Sequence, residues 1–366
     1  MGEFTIFMAV APGLEQTLAE EAREKGFRDV APVPGGVEAR GDWPEIWRAN
    51  LEMRGAARVL VRLGEFRAFH LAQLDKRARK FPWGDVLRAD VPVRVEASCK
   101  RSKIYHAGAA AERISRAISE ELGAPISKEA ALVVKARIDD NLVVLSLDTS
   151  GEALHRRGLK QAVGKAPMRE NLAALFLRQC GYQGDEPVID PMCGSGTFPI
   201  EAAEIAAGMQ AGRARGFAFE QLAGFDAGAF EARRRAGGTA PQAQFYGFDR
   251  DQGAVRNAQA NAERAGVSAW AKFACQPVSA LQRPEGPKGL VIANPPYGAR
   301  IGNRKLLFAL YGSFGQVLKE RFGGWRVGVV TADSGLAATM GLPFEAGAPV
   351  AHGGIRVQLF QTSPLA

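Results

Sequence analysis

The run Leu290-Val291-Ile292-Ala293 is apolar at every position and stops against Asn294-Pro295-Pro296-Tyr297. An apolar residue at each consecutive position, rather than every second one, means that both faces of a strand are covered. That is the environment of a parallel sheet with helices on each side. Two prolines then remove the next backbone donors and end the pairing. Such a chain must build a covered sheet and present an amide and an aromatic ring at its carboxyl edge. In open α/β sheets, ligands bind at that edge.

The flanking sequence repeats the pattern. Residues 188–190 predict a strand that runs into Pro191-Met192-Cys193-Gly194-Ser195-Gly196-Thr197 and a helix over 200–207. Residues 245–249 predict a second strand, ending in Asp249 before a helix over 252–264. Further strands are expected at 289–293, 327–331 and 357–361. Strand–helix alternation of this kind implies an α/β fold with a doubly wound, Rossmann-like parallel sheet. Residues 208–244 interrupt it and are rich in Gly, Ala and Arg. They read as an insertion whose Arg213, Arg215, Arg233, Arg234 and Arg235 face RNA.

Residues 4–63 read β-α-β-β-α-β, the order of a small ferredoxin-like unit. A basic helix over 70–81, a strand over 92–98 and a polar connector over 98–106 follow. Residues 107–122 predict a long helix stopped by Gly123. Asp139-Asp140-Asn141 signals a hairpin between strands at 132–138 and 142–147. Residues 151–166 read as a linker, and Pro167 suits the first turn of a helix continued by 168–180.

The formal net charge of +8 favours a polyanionic partner. It is unevenly spread: residues 51–103 carry 13 basic and 6 acidic side chains, whereas residues 1–50 carry 5 and 9. The basic block contains Lys76, Arg77, Arg79, Lys80, Lys100, Arg101 and Lys103, with Phe66, Phe69, Phe81 and Trp83 among them. It is either a solvated face or a nucleic-acid footprint. Cys99, Cys180, Cys193 and Cys275 lack metal-ligand spacing and read as free thiols in a reducing compartment. His70, His106, His155 and His352 lie far apart and read as satisfied structural histidines, so no metal is expected. No apolar run reaches membrane length, and the expected location is the cytoplasm.

The glycine turn lacks a third glycine, since position 199 is Pro, and it carries no Gly-Lys-Ser/Thr. It therefore fits neither a dinucleotide fingerprint nor a P-loop. Asp249 at a strand end can accept ribose hydroxyls, Gly194 and Gly196 let a ligand approach the backbone, and Asp190 can offset a cationic tail. S-adenosylmethionine has all three features. Asn294 and the Pro295 carbonyl are uncharged acceptors suited to an exocyclic NH2 group, and Tyr297 is suited to stacking on a flat base.

Together with Leu154-His-Arg-Arg-Gly158 and Ala166-Pro167-Met168-Arg169-Glu170-Asn171, the Asp190–Thr197 and Asn294–Gly298 motifs resemble those of the THUMP-domain RNA guanine-N2 methyltransferases. The closest likeness is to those acting on large-subunit ribosomal RNA, and it covers nearly the whole chain. It implies a ferredoxin-like domain over 1–56, a THUMP RNA-binding domain over 57–152 and a Rossmann-like class I methyltransferase domain over 153–366. It implies that Pro167, Met168, Asp190, Met192, Cys193, Gly194, Ser195, Gly196, Thr197, Asp249, Gln276 and Asn294 hold S-adenosyl-L-methionine. Asn294, Pro295 and Tyr297 would be catalytic, and Lys76, Arg77, Arg79, Lys80, Lys100, Arg101 and Lys103 would bind RNA. The implied substrate is 23S rRNA or a large-subunit precursor, with neither membrane nor metal involved. Many relatives hold adenine with an acid where this chain reads Phe273-Ala-Cys-Gln276-Pro-Val-Ser279, which leaves Gln276 or Ser279 for that contact. Some relatives carry a second methyltransferase domain; the end at Ala366 implies a single-activity version. The rival readings are a tRNA guanine-N2 enzyme, adenine-N6 methylation of nucleic acid, glutamine methylation of protein, and a non-catalytic RNA-binding assembly factor.

Overall fold

A computed structural model describes residues 2–161, 168–298 and 304–366, so Pro167 lies outside the described residues. The chain forms two compact units. The first takes Met1–Val10, Glu21–Leu154 and Arg215–Arg234; the second takes Ala11–Glu20, His155–Ala214 and Arg235–Ala366.

The first unit contains β1 (Phe4–Ala9), β2 (Arg28–Val33), β3 (Gly36–Gly41), β4 (Arg58–Arg67), β5 (Val93–Lys100), β6 (Leu132–Asp139) and β7 (Leu142–Asp148). They form one sheet in the order β2-β3-β1-β4-β7-β6-β5. The first four strands, with helices Glu15–Glu24 and Trp43–Glu52 between them, make the expected ferredoxin-like arrangement. Strand β4 is ten residues long and pairs with both β1 and β7. The two N-terminal regions separated in the sequence reading thus share a single sheet. Helix Ala107–Leu122 makes the crossover that the parallel β5–β6 pair requires. The Nδ1 of His106 caps it by accepting from the Ala109 amide at 2.9 Å, and Gly123 ends it at φ +82°. In the same way His70 caps helix Leu71–Arg79, so both residues are structural as expected.

The inserted stretch departs from expectation. Phe219, Phe225 and Phe230 surround Trp47, with ring centroids 6.3, 5.7 and 6.1 Å away. Phe217 stacks on Phe219 at 5.1 Å. Arg215 donates to the carbonyls of Ser150, Glu152 and Ala153, and Arg234 is paired with Glu220 and Glu231. Arg213, in the second unit, is buried against Glu204 and the Ala265 carbonyl. Three of the five arginines expected to face RNA are therefore committed to the fold.

The second unit contains β8 (Val188–Asp190), β9 (Phe245–Asp249), β10 (Ala271–Cys275), β11 (Leu290–Ala293), β12 (Arg326–Thr331), β13 (Glu345–Ala346), β14 (Val350–His352) and β15 (Ile355–Gln361). The order is β10-β9-β8-β11-β12-β15-β13, with β14 paired to β15. Strands β8 to β12 are parallel to their neighbours, whereas β15 runs antiparallel to β12 and β13. Strand β10 was not expected. As the edge strand it mixes buried Ala271 with exposed Lys272 and lacks the apolar run of an interior strand. All four residues of β11 are fully buried. Ile189, Val291, Ala293, Val327 and Val329 pack with Tyr311, Phe314, Leu318, Phe322 and Trp325. Burying each large side chain contributes about 1.5–3 kcal/mol, which fixes the strand ends that carry the polar residues.

Candidate active site

Strands β10, β9, β8 and β11 are consecutive neighbours, so Gln276, Asp249, Asp190 and Asn294 follow one another along a single carboxyl edge. The backbone ties most of this edge together. The Gly194 amide donates to Asp249 Oδ2 at 3.1 Å, and the Cys193 amide to the Phe248 carbonyl at 2.8 Å. The Gln276 amide donates to the Asp249 carbonyl at 3.0 Å, and the Met192 amide to Asp190 Oδ1 at 3.0 Å. Asp249 Oδ1 also caps the Asp251 amide. Each oxygen of this partly exposed carboxylate keeps a free lone pair for a further donor.

Asp190 is only 2% exposed. Burial pushes its carboxyl well above the usual range, the Asp249 charge adds to the shift, and the Met192 amide opposes it. A cation placed beside this pair would favour the ionised form. Cys193 is buried, and burial with the two carboxylates raises its thiol strongly. The residue therefore offers backbone rather than a nucleophile.

The two glycines of the turn do different work. Gly196 has φ +83°, and a Cβ there would lie 3.0 Å from both the Ala258 Cβ and the Phe273 ring. Its missing side chain makes room for the protein's own packing. Gly194 has φ +52°, and its side faces open space. Gly194 is therefore the position that leaves the loop backbone accessible.

The Thr197 hydroxyl is engaged within the protein: it accepts from the Lys160 ammonium at 2.9 Å and lies 3.4 Å from the Met168 carbonyl. Lys160 also donates to that carbonyl at 2.9 Å and pairs with Glu170 at 3.3 Å. Lys160 lies in the basic, glycine-rich stretch 151–166, where no spacing signal points to it. The buried Arg157–Glu201 and Arg157–Glu204 pairs lie behind the loop. A cavity of about 30 Å³ beside them is lined by Lys160, Thr197, Glu201 and Asn261. It has room for water but not for a nucleoside.

Asn294 stands one residue beyond β11. Its Oδ1 is buried and has no hydrogen-bond partner among the described residues. A native fold rarely leaves such an acceptor orphaned without a functional reason. Pro295 is buried, and Tyr297 is half-buried, its ring packed against the apolar core and its phenol pushed up by burial. His352 departs from the satisfied-histidine reading: it is buried, and its Nδ1 has no partner among the described residues.

In the first unit, Lys76, Arg77, Lys80, Lys100 and Lys103 are exposed. Arg79 is not available in the same way, because Asp75, Glu120 and Glu121 all pair with it. Arg101 shares Asp139 with Arg137. Among the described residues no cluster of three or more His, Cys, Asp or Glu side chains could hold a metal, and no helix is long and apolar enough to cross a membrane.

This strand order, with a glycine turn after β8 and an acid as the last residue of β9, defines a class I methyltransferase fold. The chain belongs to the family with an RMKL-like methyltransferase domain, whose model matches residues 157–350; residues 5–60 match the RlmL ferredoxin-like domain. A Synechocystis protein provisionally named an RNA methyltransferase is 31% identical over 97% of this chain and 95% of its own length. A Listeria monocytogenes protein described as a predicted N6-adenine-specific DNA methylase is 29% identical. The match covers 100% of this chain and 97% of that one, with a TM-score of 0.87. A provisionally assigned methyltransferase solved with S-adenosylhomocysteine is 26% identical over 100% and 99%, with a TM-score of 0.89.

Proposed function

We propose that the protein transfers a methyl group from S-adenosylmethionine to the exocyclic N2 amine of a guanine in RNA, with large-subunit ribosomal RNA as the substrate class. The observation that carries this reading is the Oδ1 of Asn294 at the carboxyl end of β11, buried and without a partner among the described residues. The family, the likeness to a structure holding S-adenosylhomocysteine and the relative named for RNA support it. The residues fit the donor. Asp249 has lone pairs for a ribose, Gly194 leaves its side open, and the Asp190–Asp249 pair would gain from a cation. When bound, the donor supplies a methyl group on a sulfonium.

The chain's own residues then have to orient an amine. The lone pair of a guanine amino group is delocalised into the ring, and it becomes nucleophilic as the nitrogen turns toward sp3 geometry. Asn294 Oδ1 and the Pro295 carbonyl, accepting its two N–H groups, favour that geometry. Tyr297 offers a ring face to a base that has left its stack. The amine becomes acidic only as it is methylated, so water can take its proton and no strong base is required. The contribution of the protein is chiefly orientation.

The test is incubation with methyl-labelled donor and separate pools of ribosomal RNA, transfer RNA, DNA and protein, followed by nucleoside analysis. Label in N2-methylguanosine from ribosomal RNA is expected. Label in N6-methyladenosine would move the substrate to adenine, the specificity for which the Listeria protein is named. No label in any pool, with intact donor binding, would favour the assembly-factor reading.

A further inference from the structure

We propose that Tyr105, with Lys103 beside it, is a stacking site for an unpaired RNA base on the first unit. This inference rests on the RNA reading above and adds to it a site for single-stranded RNA.

Tyr105 is 85% exposed, yet its neighbours on both sides are fixed. Ile104 is 4% exposed and anchors the loop, and His106 caps helix Ala107–Leu122 through its Nδ1. The backbone at Tyr105 is therefore held while its ring stays in solvent. A ring with few free torsions and no role in the core suits base stacking, because little entropy is lost on binding.

The surroundings are built to match. The loop after β5 is bound to the β6–β7 hairpin: the Lys103 amide donates to Asn141 Oδ1 at 2.8 Å, and the Asn141 amide to Ser102 Oγ at 3.0 Å. The end of β4 joins the same hairpin through the Ala68 amide and the Asn141 carbonyl, 2.9 Å apart. This places Phe69, 41% exposed, where the Lys103 ammonium lies 5.7 Å from its ring centre. Lys100 and Lys103 carry no ion pair among the described residues, so both charges remain for phosphate. Of the two carboxylates at the hairpin, Asp139 is already held by Arg101 and Arg137, and Asp140 is exposed and is outnumbered by Lys100 and Lys103. Arg101 itself sits at φ +48°, a conformation costly for a side chain other than glycine. Asp140 and Asn141 of the adjoining hairpin turn share the left-handed region, so the backbone around Tyr105 is tightly specified. An exposed ring among unpaired cations fits a polyanion with accessible bases better than it fits a paired duplex, whose bases are stacked on one another.

The experiment uses the full chain and two probes, a fluorescein-labelled oligouridylate and a blunt RNA duplex, read by anisotropy over a salt series. Tyr105→Ala is expected to weaken oligouridylate binding by about 5- to 150-fold, the range of one base–aromatic stack. It should leave duplex affinity and the salt slope unchanged. Tyr105→Phe should restore the loss. Lys103→Ala should weaken both probes and lower the single-strand salt slope by about 0.7. Photocrosslinking of the oligouridylate should mark Tyr105. Equal oligouridylate affinity for wild type and Tyr105→Ala, or equal losses on both probes, would overturn the stacking site and leave the enzyme reading standing. A wild type that binds neither probe nor ribosomal RNA would overturn both.

Discussion

The Gly194 amide donates to Asp249 Oδ2 at 3.1 Å, and this single bond fastens the glycine turn after β8 to the end of β9. The carboxylate both shapes the loop and is proposed to meet the ribose. Asp249→Asn removes the charge and, with one acceptor oxygen, can keep only one of the bonds from the Gly194 and Asp251 amides. Donor affinity should fall about 10- to 150-fold, the scale of a hydrogen bond to a charged group. Calorimetry on folded protein decides this; unchanged affinity would remove Asp249 from the donor site.

The two glycines should separate by phenotype. Gly196→Ala pushes a methyl group against Ala258 and Phe273 at φ +83°, and the melting temperature should drop for a cost of about 1–3 kcal/mol. Gly194→Ala carries only the left-handed penalty of about 1–2 kcal/mol, and its larger effect should be on donor affinity. Thermal melts paired with titrations test this. The idea fails if both variants lose stability and affinity in the same proportion.

Asn294→Ala should slow single-turnover transfer about 100- to 1000-fold, as expected for one preorganised group at a reacting centre. It should leave stability unchanged or slightly improved, because the side chain removed is an orphaned buried acceptor. Tyr297→Ala should also be slow, and Tyr297→Phe close to wild type. A near-normal rate for Asn294→Ala would mean that the amine is oriented elsewhere.

His155 gives a pH dependence. Burial, with Arg169 and neighbouring cations, lowers it from 6.5 to about 4. The folded state therefore disfavours its protonation. The stability this contributes is fully present above pH 6.5 and is lost as the pH falls through about 4. Discounted for partial exposure, the effect is about 1–2 kcal/mol. Denaturant titrations between pH 7 and 4 should show a loss that His155→Gln reduces; an identical profile in the variant would contradict the assignment.

Lys76→Ala with Lys80→Ala should weaken RNA binding and flatten its salt dependence, since both are exposed and neither carries an ion pair among the described residues. Arg79→Ala should instead destabilise the Leu71–Arg79 and Ala107–Leu122 helices, which Arg79 joins through Glu120 and Glu121, and should spare RNA affinity. Salt-dependent anisotropy and melting curves on the same samples distinguish the two effects. A larger RNA defect for Arg79→Ala would restore it to the binding face.

The parallel strands were legible because β8, β9, β11 and β12 are interior strands and show it as apolar runs. The edge strand β10 and the short β13 and β14 carry no such signature, and only their neighbours define them. The glycine turn and the Asn294 turn were legible because each breaks a strand with residues of fixed backbone preference. The separate tasks of Gly194 and Gly196 were not, since what a Cβ would meet depends on Phe273, far along the chain. Lys160 was invisible for the same reason: its partners Met168 and Thr197 converge only in three dimensions. Charge counting identified a basic region, but it could not show that Arg79 was already paired or that Arg213 was buried.

The two units trade pieces of chain: Ala11–Glu20 belongs to the second, and Arg215–Arg234 to the first. During synthesis the first unit cannot close until Phe230 has left the ribosome, long after its sheet is complete. A truncated protein starting near Gly151 would carry Phe219, Phe225 and Phe230 without Trp47 to cover them. The same interlacing bears on descent. No single recombination junction separates the two units cleanly, because each takes chain from both sides of the other.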